Sequence, residues 1–315
     1  MVTPPLLGAG SLVAIVAPAG PLRGEADLAC AIANARSLGW EPVPGAHVLE
    51  RSGYFAGTDA QRLRDLDHAF GDADIDGVWC ARGGYGVMRL LEQIDYAALR
   101  RRPRALIGFS DITALHAAVG IRAGLVTYHG PTARAPLSVF CRDSLERAVV
   151  RGGDPCGPAP LARVLSPGRA RGLLRGGNLA LLASLAGTPF APPLDGAILV
   201  LEDVHEPVYR LDRMLQQLLL AGMLRGCRAI LGGQFTDCAE ESDDGSRRID
   251  DVLAEFAGIL GIPCIAGAPI GHVEEQWTLP LGREAEMIAE DGVVTVRVLE
   301  PPSRMSTKRD APKEH

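Results

Sequence analysis

Short runs of uninterrupted apolar residues alternate with amphipathic stretches along the first half of the chain. The apolar runs are too short for ordinary helices, and they predict strands at residues 12–17, 77–81, 105–109 and 125–128. A helical spacing of apolar positions predicts helices at residues 25–38 and 59–70, and Thr58 is a suitable N-cap for the second. Buried strands that alternate with helices are typical of a parallel sheet covered on both faces. The first half is therefore predicted to be an α/β domain.

A stretch without periodicity separates this half from the next. Residues 151–171 gather Gly, Pro and Arg, which favour loops, and we place a domain boundary there. The elements predicted beyond it are helices at residues 178–186 and 210–224, strands at residues 197–201, 229–231 and 264–266, and a β-hairpin that turns at Asp291 and Gly292. The predicted domains are residues 1–160 and residues 161–302. Residues 303–315 mix charges without an apolar pattern and are predicted to be a disordered tail.

Composition narrows the class of protein. Hydrophobic residues make up 47% of the 315 residues, enough for two domains that each bury a core. The net charge of -6 includes no basic block, so we expect no nucleic-acid partner. Seven cysteines without a C-x-x-C pair indicate reduced thiols and a cytoplasmic location. The chain start lacks the basic residues of a signal peptide, and no apolar run approaches the roughly 20 residues of a membrane span.

Ser110 stands where a predicted buried strand ends and a predicted helix begins. A serine at such a turn presents its hydroxyl at the carboxyl edge of the sheet, near the free N–H groups of the helix start, as in a nucleophile elbow. Serine is also a preferred helix cap, and Ile112 departs from the G-x-S-x-G pattern of α/β-hydrolases. Nucleophile and helix cap are therefore equally good interpretations of this segment.

Further candidate residues follow other predicted strands. Glu202 and Asp203 end the strand at residues 197–201, where they could serve a site, cap a helix or pair with arginine at position 210 or 213. His272 follows an apolar stretch and a glycine, and six other histidines compete with it as a general base. His129 and His205 are its main rivals, because both also lie near strand ends.

A glycine-rich loop over residues 80–86, CARGGYG, follows another predicted strand. Consecutive N–H groups in such a loop can bind a phosphate, a carboxylate or an oxyanion. The spacing does not fit the dinucleotide or P-loop motifs. Neither H-E-x-x-H nor a Cys/His cluster is present, so we predict no metal site and no cofactor. The acidic stretch at residues 240–246 lacks calcium-loop spacing and is interpreted as a solvated loop.

Six segments in this order resemble the LD-carboxypeptidase family of serine peptidases, over about residues 11–298. They are WCARGGYG, GFSDITALH, TYHGP, GGNLALLASLAGTPF, LEDVHEPVYRLDRML and GHVEEQWTLPLG. The resemblance implies a metal-free triad in which Ser110 is the nucleophile, His272 the general base and Glu202 the residue that orients the histidine. It also implies a flavodoxin-like or amidotransferase-like N-terminal domain, a smaller β-rich C-terminal domain, an active site between them and a homodimer. Family members remove the terminal D-alanine from murein tetrapeptide during cytoplasmic cell-wall recycling.

Several further expectations depend on this resemblance. The oxyanion would be met by backbone N–H groups of Asp111 and of Gly83 or Gly84, and Arg82 is a candidate for binding the substrate's terminal carboxylate. Phe109 stands where the family commonly has Tyr, and the GHVEEQW segment departs from the family's loop, so substrate choice is less constrained than the reaction. Two rival functions stay open at this point. One is an immunity enzyme of the microcin C type that cleaves peptide-nucleotides, and the other is a non-catalytic protein that binds an anionic ligand.

Overall fold

The computed structural model describes residues 1–239, 247–290 and 292–300. In chain order, the strands of this part are β1 (Leu12–Val16), β2 (Glu41–Pro44), β3 (Gly77–Cys80), β4 (Ala105–Gly108), β5 (Thr127–His129), β6 (Arg163–Ser166), β7 (Gly168–Asn178), β8 (Ala197–Val204), β9 (Ala229–Thr236), β10 (Cys264–Ala266), β11 (Leu279–Leu281), β12 (Glu284–Glu290) and β13 (Val293–Val298). The α-helices are α1 (Glu25–Ser37), α2 (Asp59–Gly71), α3 (Tyr96–Arg101), α4 (Ile112–Ala123), α5 (Val139–Glu146), α6 (Leu179–Leu185), α7 (Val208–Leu220) and α8 (Ile249–Leu260).

The first sheet has the strand order β11-β5-β4-β3-β1-β2. Strands β1 to β5 are parallel, and their order β2-β1-β3-β4-β5 is that of flavodoxin-like folds. Residues along β3 alternate between two cores, with Val78 and Cys80 packed on one face and Trp79 on the other. This double burial explains why the strand is apolar at every position, and the predicted α/β fold is confirmed.

The second sheet has the strand order β13-β12-β7-β8-β9-β10-β6. Its central strands β7, β8, β9 and β10 are parallel, and helices α6, α7 and α8 pack on this sheet. Strand β6 pairs antiparallel with β10, and β12 pairs antiparallel with both β7 and β13. Strand β11 belongs to the second half of the sequence but pairs antiparallel with β5 of the first sheet. The chain thus returns to the first sheet before it ends, and the boundary between residues 160 and 161 stays a prediction.

The prediction that residues 151–171 form only a loop was wrong at its end. Strand β6 and the start of β7 lie within that stretch. Arg169 and Arg171 occupy alternate positions of β7 and form ion pairs with Glu290 and Glu284 of the neighbouring strand. Because the outward positions are charged and glycines follow, the apolar alternation of a strand was hidden in the sequence.

Most of the predicted element positions are confirmed within a few residues. The Thr58 hydroxyl accepts a hydrogen bond from the Gln61 N–H in a capping box at the start of α2. Strand β8 is longer than predicted, so the acidic pair at 202 and 203 lies inside the strand, beside an irregularity in its pairing with β9. The hairpin of β12 and β13 forms, but Asp291 of its turn, the acidic stretch at residues 240–246 and the predicted tail lie outside the described residues. In the described part, no helix has the length and apolar character needed to cross a bilayer.

Candidate active site

Ser110 lies in the sharp turn between β4 and α4. Its φ of 67° is in the left-handed region, which costs energy for a residue with a side chain. The helix cap is Asp111, one residue later, so the interpretation of Ser110 as the cap of α4 was wrong. The Ser110 hydroxyl instead lies 3.2 Å from Nε2 of His272. The strained turn therefore directs the hydroxyl out of the sheet edge and toward a base.

The His272 ring lies between Ser110 and a buried carboxylate. Its Nδ1 is 2.8 Å from Oε2 of Glu202, whose side chain is fully buried in β8. The histidine stands in the loop after β10, and the Thr236 hydroxyl donates a 2.9 Å hydrogen bond to its carbonyl oxygen. A carboxylate at Nδ1 places the ring proton there and leaves Nε2 free to accept a proton from the serine.

Gly271 allows this close approach. Its φ is 101°, and a Cβ atom added there would lie 2.6 Å from the Glu202 carboxylate. No residue with a side chain could occupy the position without displacing either the loop or the acid. The glycine before His272 thus has a steric reason, which the sequence alone did not disclose.

Within the described part of the chain, His272 is the sole side-chain partner of the Glu202 carboxylate. A buried carboxylate favours a positive charge on its partner, because no water stabilises the negative charge of the carboxylate. Glu202 is therefore placed to stabilise an imidazolium that forms when His272 takes a proton.

The two rival histidines differ from His272 in burial and in position. His129 is fully buried, its ring centroid is 6.0 Å from that of Phe109, and burial lowers its pKa to about 3. A base that stays neutral and sealed from solvent cannot accept a proton from a substrate complex at neutral pH. His205 is exposed, and its ring lies 3.7 Å from Asp237 at the surface. Neither histidine hydrogen bonds to Ser110 in the part of the chain that is described.

Asp203 has a structural role. Its carboxylate accepts hydrogen bonds of 2.9 Å from the Asn178 side chain and from the Ala180 N–H, which joins the end of β8 to the start of α6. Burial raises its pKa to about 6. The interpretation that the acidic pair binds arginines at positions 210 and 213 was wrong, since both arginines lie instead against the ring of Tyr209.

The glycine-rich loop lies against the nucleophile. A Cβ atom added to Gly83 would lie 2.7 Å from Cβ of Ser110, and the Gly83 carbonyl accepts a 3.0 Å hydrogen bond from Gly20 N–H. Among the described residues, the backbone N–H groups of Gly83, Gly84 and Asp111 have no acceptor. The loop and the start of α4 therefore surround Ser110 with unused donors.

Asp111 fixes the glycine-rich loop to the nucleophile turn. Its carboxylate accepts a 2.9 Å hydrogen bond from the Val87 N–H, directly after the loop. Burial raises the pKa of this carboxyl to about 6. The Asp111 side chain thus contacts one end of the loop, while the Asp111 backbone N–H has no acceptor among the described residues.

Phe109 and Asn178 are neighbours of the site whose roles the sequence did not reveal. The Phe109 ring packs edge-on against the His272 imidazole, with centroids 4.8 Å apart. The Asn178 N–H donates a 3.0 Å hydrogen bond to the Thr113 hydroxyl, which ties β7 of the second sheet to α4 of the first. The glycine pair before Asn178 was the signal for this contact, because a Cβ atom at Gly177 would lie 2.6 Å from the same hydroxyl.

The chemistry available to the site is proton transfer and nucleophilic attack. Within residues 1–239, 247–290 and 292–300, no group of three or more His, Cys, Asp or Glu side chains is arranged to hold a metal ion. All seven cysteines are free thiols. Burial alone raises the pKa of the Cys80 thiol far above its ordinary value, so this cysteine beside the glycine-rich loop is inert.

Comparisons with known proteins identify a family and relatives that the sequence matches. A family model described as the LD-carboxypeptidase N-terminal domain matches residues 13–130, and one for the C-terminal domain matches residues 171–287. The murein tetrapeptide carboxypeptidase of Pseudomonas aeruginosa is 38% identical over 295 residues, which cover 87% of this chain and 92% of that protein.

Solved structures show the same fold. A muramoyltetrapeptide carboxypeptidase from Oxalobacter formigenes matches with a TM-score of 0.80 at 31% identity, covering 93% of this chain and 100% of that one. The microcin C7 self-immunity protein MccF matches with a TM-score of 0.87 at 22% identity, covering 96% of this chain and 99% of that one. At that identity, the likeness to the immunity protein concerns the fold alone.

Proposed function

Because the chain belongs to the LD-carboxypeptidase family and is a serine-type carboxypeptidase, we propose that it removes the terminal D-alanine from murein tetrapeptide. The bond cleaved is the L,D-peptide bond between the diamino acid and D-alanine. We further propose that it acts in the cytoplasm as a homodimer, during recycling of the cell wall. The name of the Pseudomonas aeruginosa relative supports the choice of substrate.

The observation that carries the proposal is the continuous line from Ser110 through His272 to Glu202. His272 takes the hydroxyl proton at Nε2 as the serine oxygen bonds to the scissile carbonyl carbon. The tetrahedral intermediate then collapses, the carbon–nitrogen bond breaks, and His272 gives the proton to the departing amine of D-alanine. Glu202 holds the ring orientation and stabilises the transient imidazolium.

Water completes the cycle. It attacks the acyl-serine ester while His272 again takes a proton, and it releases the tripeptide as a carboxylate with the serine hydroxyl restored. The oxyanion of both tetrahedral intermediates is bound by the Asp111 N–H and by the N–H of Gly83 or Gly84. Their lack of acceptors in the described part of the chain supports this assignment.

Arg82 is the proposed cation for the terminal carboxylate of the substrate. It directly precedes Gly83, and its Nη1 donates a 2.5 Å hydrogen bond to the Pro21 carbonyl. This bond holds the guanidinium next to the glycine-rich loop. The position fits a carboxypeptidase, whose substrate carries its carboxylate only about 4 Å from the scissile carbon.

The proposal is tested by mass spectrometry of L-Ala-γ-D-Glu-meso-diaminopimelyl-D-Ala incubated with the parent protein and with Ser110→Ala. Loss of one alanine only with the parent is expected, and Ser184→Ala, which changes an exposed serine of α6, is the matched control. An intact tetrapeptide after incubation with the parent contradicts the proposal. Cleavage of an aminoacyl-adenylate analogue in that case identifies the microcin type of substrate, and light scattering tests the homodimer.

A further inference from the structure

Four arginines come together at the carboxyl edge of the first sheet. Arg23, Arg51, Arg82 and Arg134 stand in the loops that follow β1, β2, β3 and β5, and Ser110 follows the remaining parallel strand, β4. Parallel strands place all their carboxyl ends at the same edge, where α/β folds bind ligands. Every parallel strand of this sheet thus contributes either the nucleophile or a cation to one surface.

Backbone contacts bring Arg134 next to Arg82. The N–H of Arg134 donates a 3.3 Å hydrogen bond to the carbonyl oxygen of Ala81, the residue before Arg82. The loop after β5 therefore folds back over the end of β3. The two arginine side chains start from adjacent backbone, beside the glycine that contacts Ser110.

Asp27 is the carboxylate that this arginine group shares. It accepts hydrogen bonds from the Arg23 N–H at 3.0 Å and from Nη1 of Arg134 at 3.3 Å. The side chains of Arg23 and Arg51 are exposed and have no ion pair among the described residues. The group therefore carries a surplus of positive charge.

The charges are close enough to act on each other. The pKa of Arg82 is lowered, first by burial and then by the positive charges of Arg134 and Arg23, with Arg51 also contributing. Repulsion between like charges raises the free energy of such a group, and a bound anion lowers it. An anionic ligand is the natural counterpart of such a group.

We propose that Arg134 acts together with Arg82 to bind the terminal carboxylate of the D-alanine, and that Arg23 and Arg51 strengthen the positive field there. The inference rests on the proposed function and names the residues that restrict the enzyme to the chain end. A carboxylate held beside the oxyanion donors selects peptides that end at the cleaved residue. Paired guanidinium groups are suited to binding this terminal carboxylate, because each can bind a carboxylate with two parallel hydrogen bonds.

The test measures binding by calorimetry to proteins that carry Ser110→Ala, so that no turnover intervenes. The ligands are the tetrapeptide and the same peptide with a C-terminal D-alaninamide. Without a further change, the acid is expected to bind at least 10-fold more tightly than the amide, the order expected for hydrogen bonds to a charged group. Adding Arg134→Gln should remove most of this preference by weakening the acid about 10-fold and leaving the amide within about 2-fold.

Controls separate recognition from folding. Arg134→Lys should restore part of the preference for the acid, because the charge is kept. Arg101→Gln changes an exposed arginine at the end of α3, on the opposite edge of the sheet, and should leave both affinities unchanged. A purely structural role of Arg134 would weaken both peptides equally.

The outcomes distinguish this inference from the proposed function. Equal affinity for acid and amide, absence of binding, or an unchanged preference in Arg134→Gln overturns the arginine subsite. The same holds if inorganic phosphate binds in an Arg134-dependent way while the terminal carboxylate makes no difference. If the subsite behaves as expected but the parent releases no D-alanine, the proposed function fails and the subsite stands.

Discussion

Replacement of Gly271 by alanine should displace Glu202 from His272. The added Cβ would lie 2.6 Å from Oε2, 2.7 Å from Cβ and 2.9 Å from Cγ of Glu202, whereas an ordinary contact begins near 3.4 Å. The carboxylate must therefore move by about 0.8 Å, which is the difference between the first and last of these distances. A misplacement of about 1 Å can cost about 100-fold in rate, or roughly 2.7 kcal/mol in the barrier. We expect kcat/KM to fall by about that factor.

Backbone strain accompanies this steric effect and needs its own control. Gly271 has a φ of 101°, so alanine there should also lower the free energy of unfolding by about 1–3 kcal/mol. Gly261 has a φ of 66° at the end of α8 and nothing within 4 Å of an added Cβ, so Gly261→Ala introduces strain without a clash.

The assay is release of D-alanine at saturating and limiting tetrapeptide, with urea unfolding of each variant in parallel. Gly261→Ala should lose stability and keep its kcat. Parent-like turnover in folded Gly271→Ala, or an equal loss of turnover in both variants, would refute the link between the glycine and the carboxylate.

Three other substitutions test neighbouring parts of the structure. Gly84 has a φ of 118°, and a Cβ atom added there would lie 3.0 Å from the Gly20 backbone. Gly84→Val should therefore lower kcat about 10²- to 10³-fold by disturbing an oxyanion donor, and full activity in the folded variant would exclude the loop from the mechanism. Asp203→Ala leaves the Asn178 amide and the Ala180 N–H without their acceptor, so urea unfolding should show a loss of about 2–4 kcal/mol, and a loss below about 1 kcal/mol would contradict the structural role. His129 has a folded pKa of about 3, so below pH 6.5 the unfolded chain binds a proton that the folded chain does not. The free energy of unfolding therefore decreases as the pH is lowered. In His129→Gln this fall between pH 6 and pH 4 should be about 1.4 kcal/mol per pH unit shallower, and parallel curves would contradict the assigned burial effect.

The strands that are buried on both faces could be predicted from the sequence, because their apolar character leaves few alternatives. Strand β3 and helix α2 illustrate this, the first through continuous burial and the second through the cap at Thr58. Strands β6 and β7 were missed, because charged side chains interrupt their apolar pattern: Arg163 of β6 pairs with Asp250 of α8, and Arg169 of β7 pairs with Glu290 of β12. The return of β11 to the first sheet could not be predicted, since three residues carry too little pattern to specify a partner.

The candidate site was predictable only through the resemblance to a family. From the strand-to-helix turn alone, Ser110 could be either a helix cap or a nucleophile. The contact that distinguishes these roles is with His272, 162 residues away in sequence. Nothing local distinguishes His272 from His129. Their difference is one of burial and of the Glu202 carboxylate, both of which require the folded chain.

The most direct measurement of the central claim is the intact mass of the protein after reaction with a serine-directed phosphonate. A single adduct on Ser110 is predicted, absent from Ser110→Ala and formed far more slowly in His272→Ala and Glu202→Gln. An adduct on another serine, or labelling of Ser110 at the parent rate without His272, would contradict the claim that this histidine and its carboxylate activate the nucleophile.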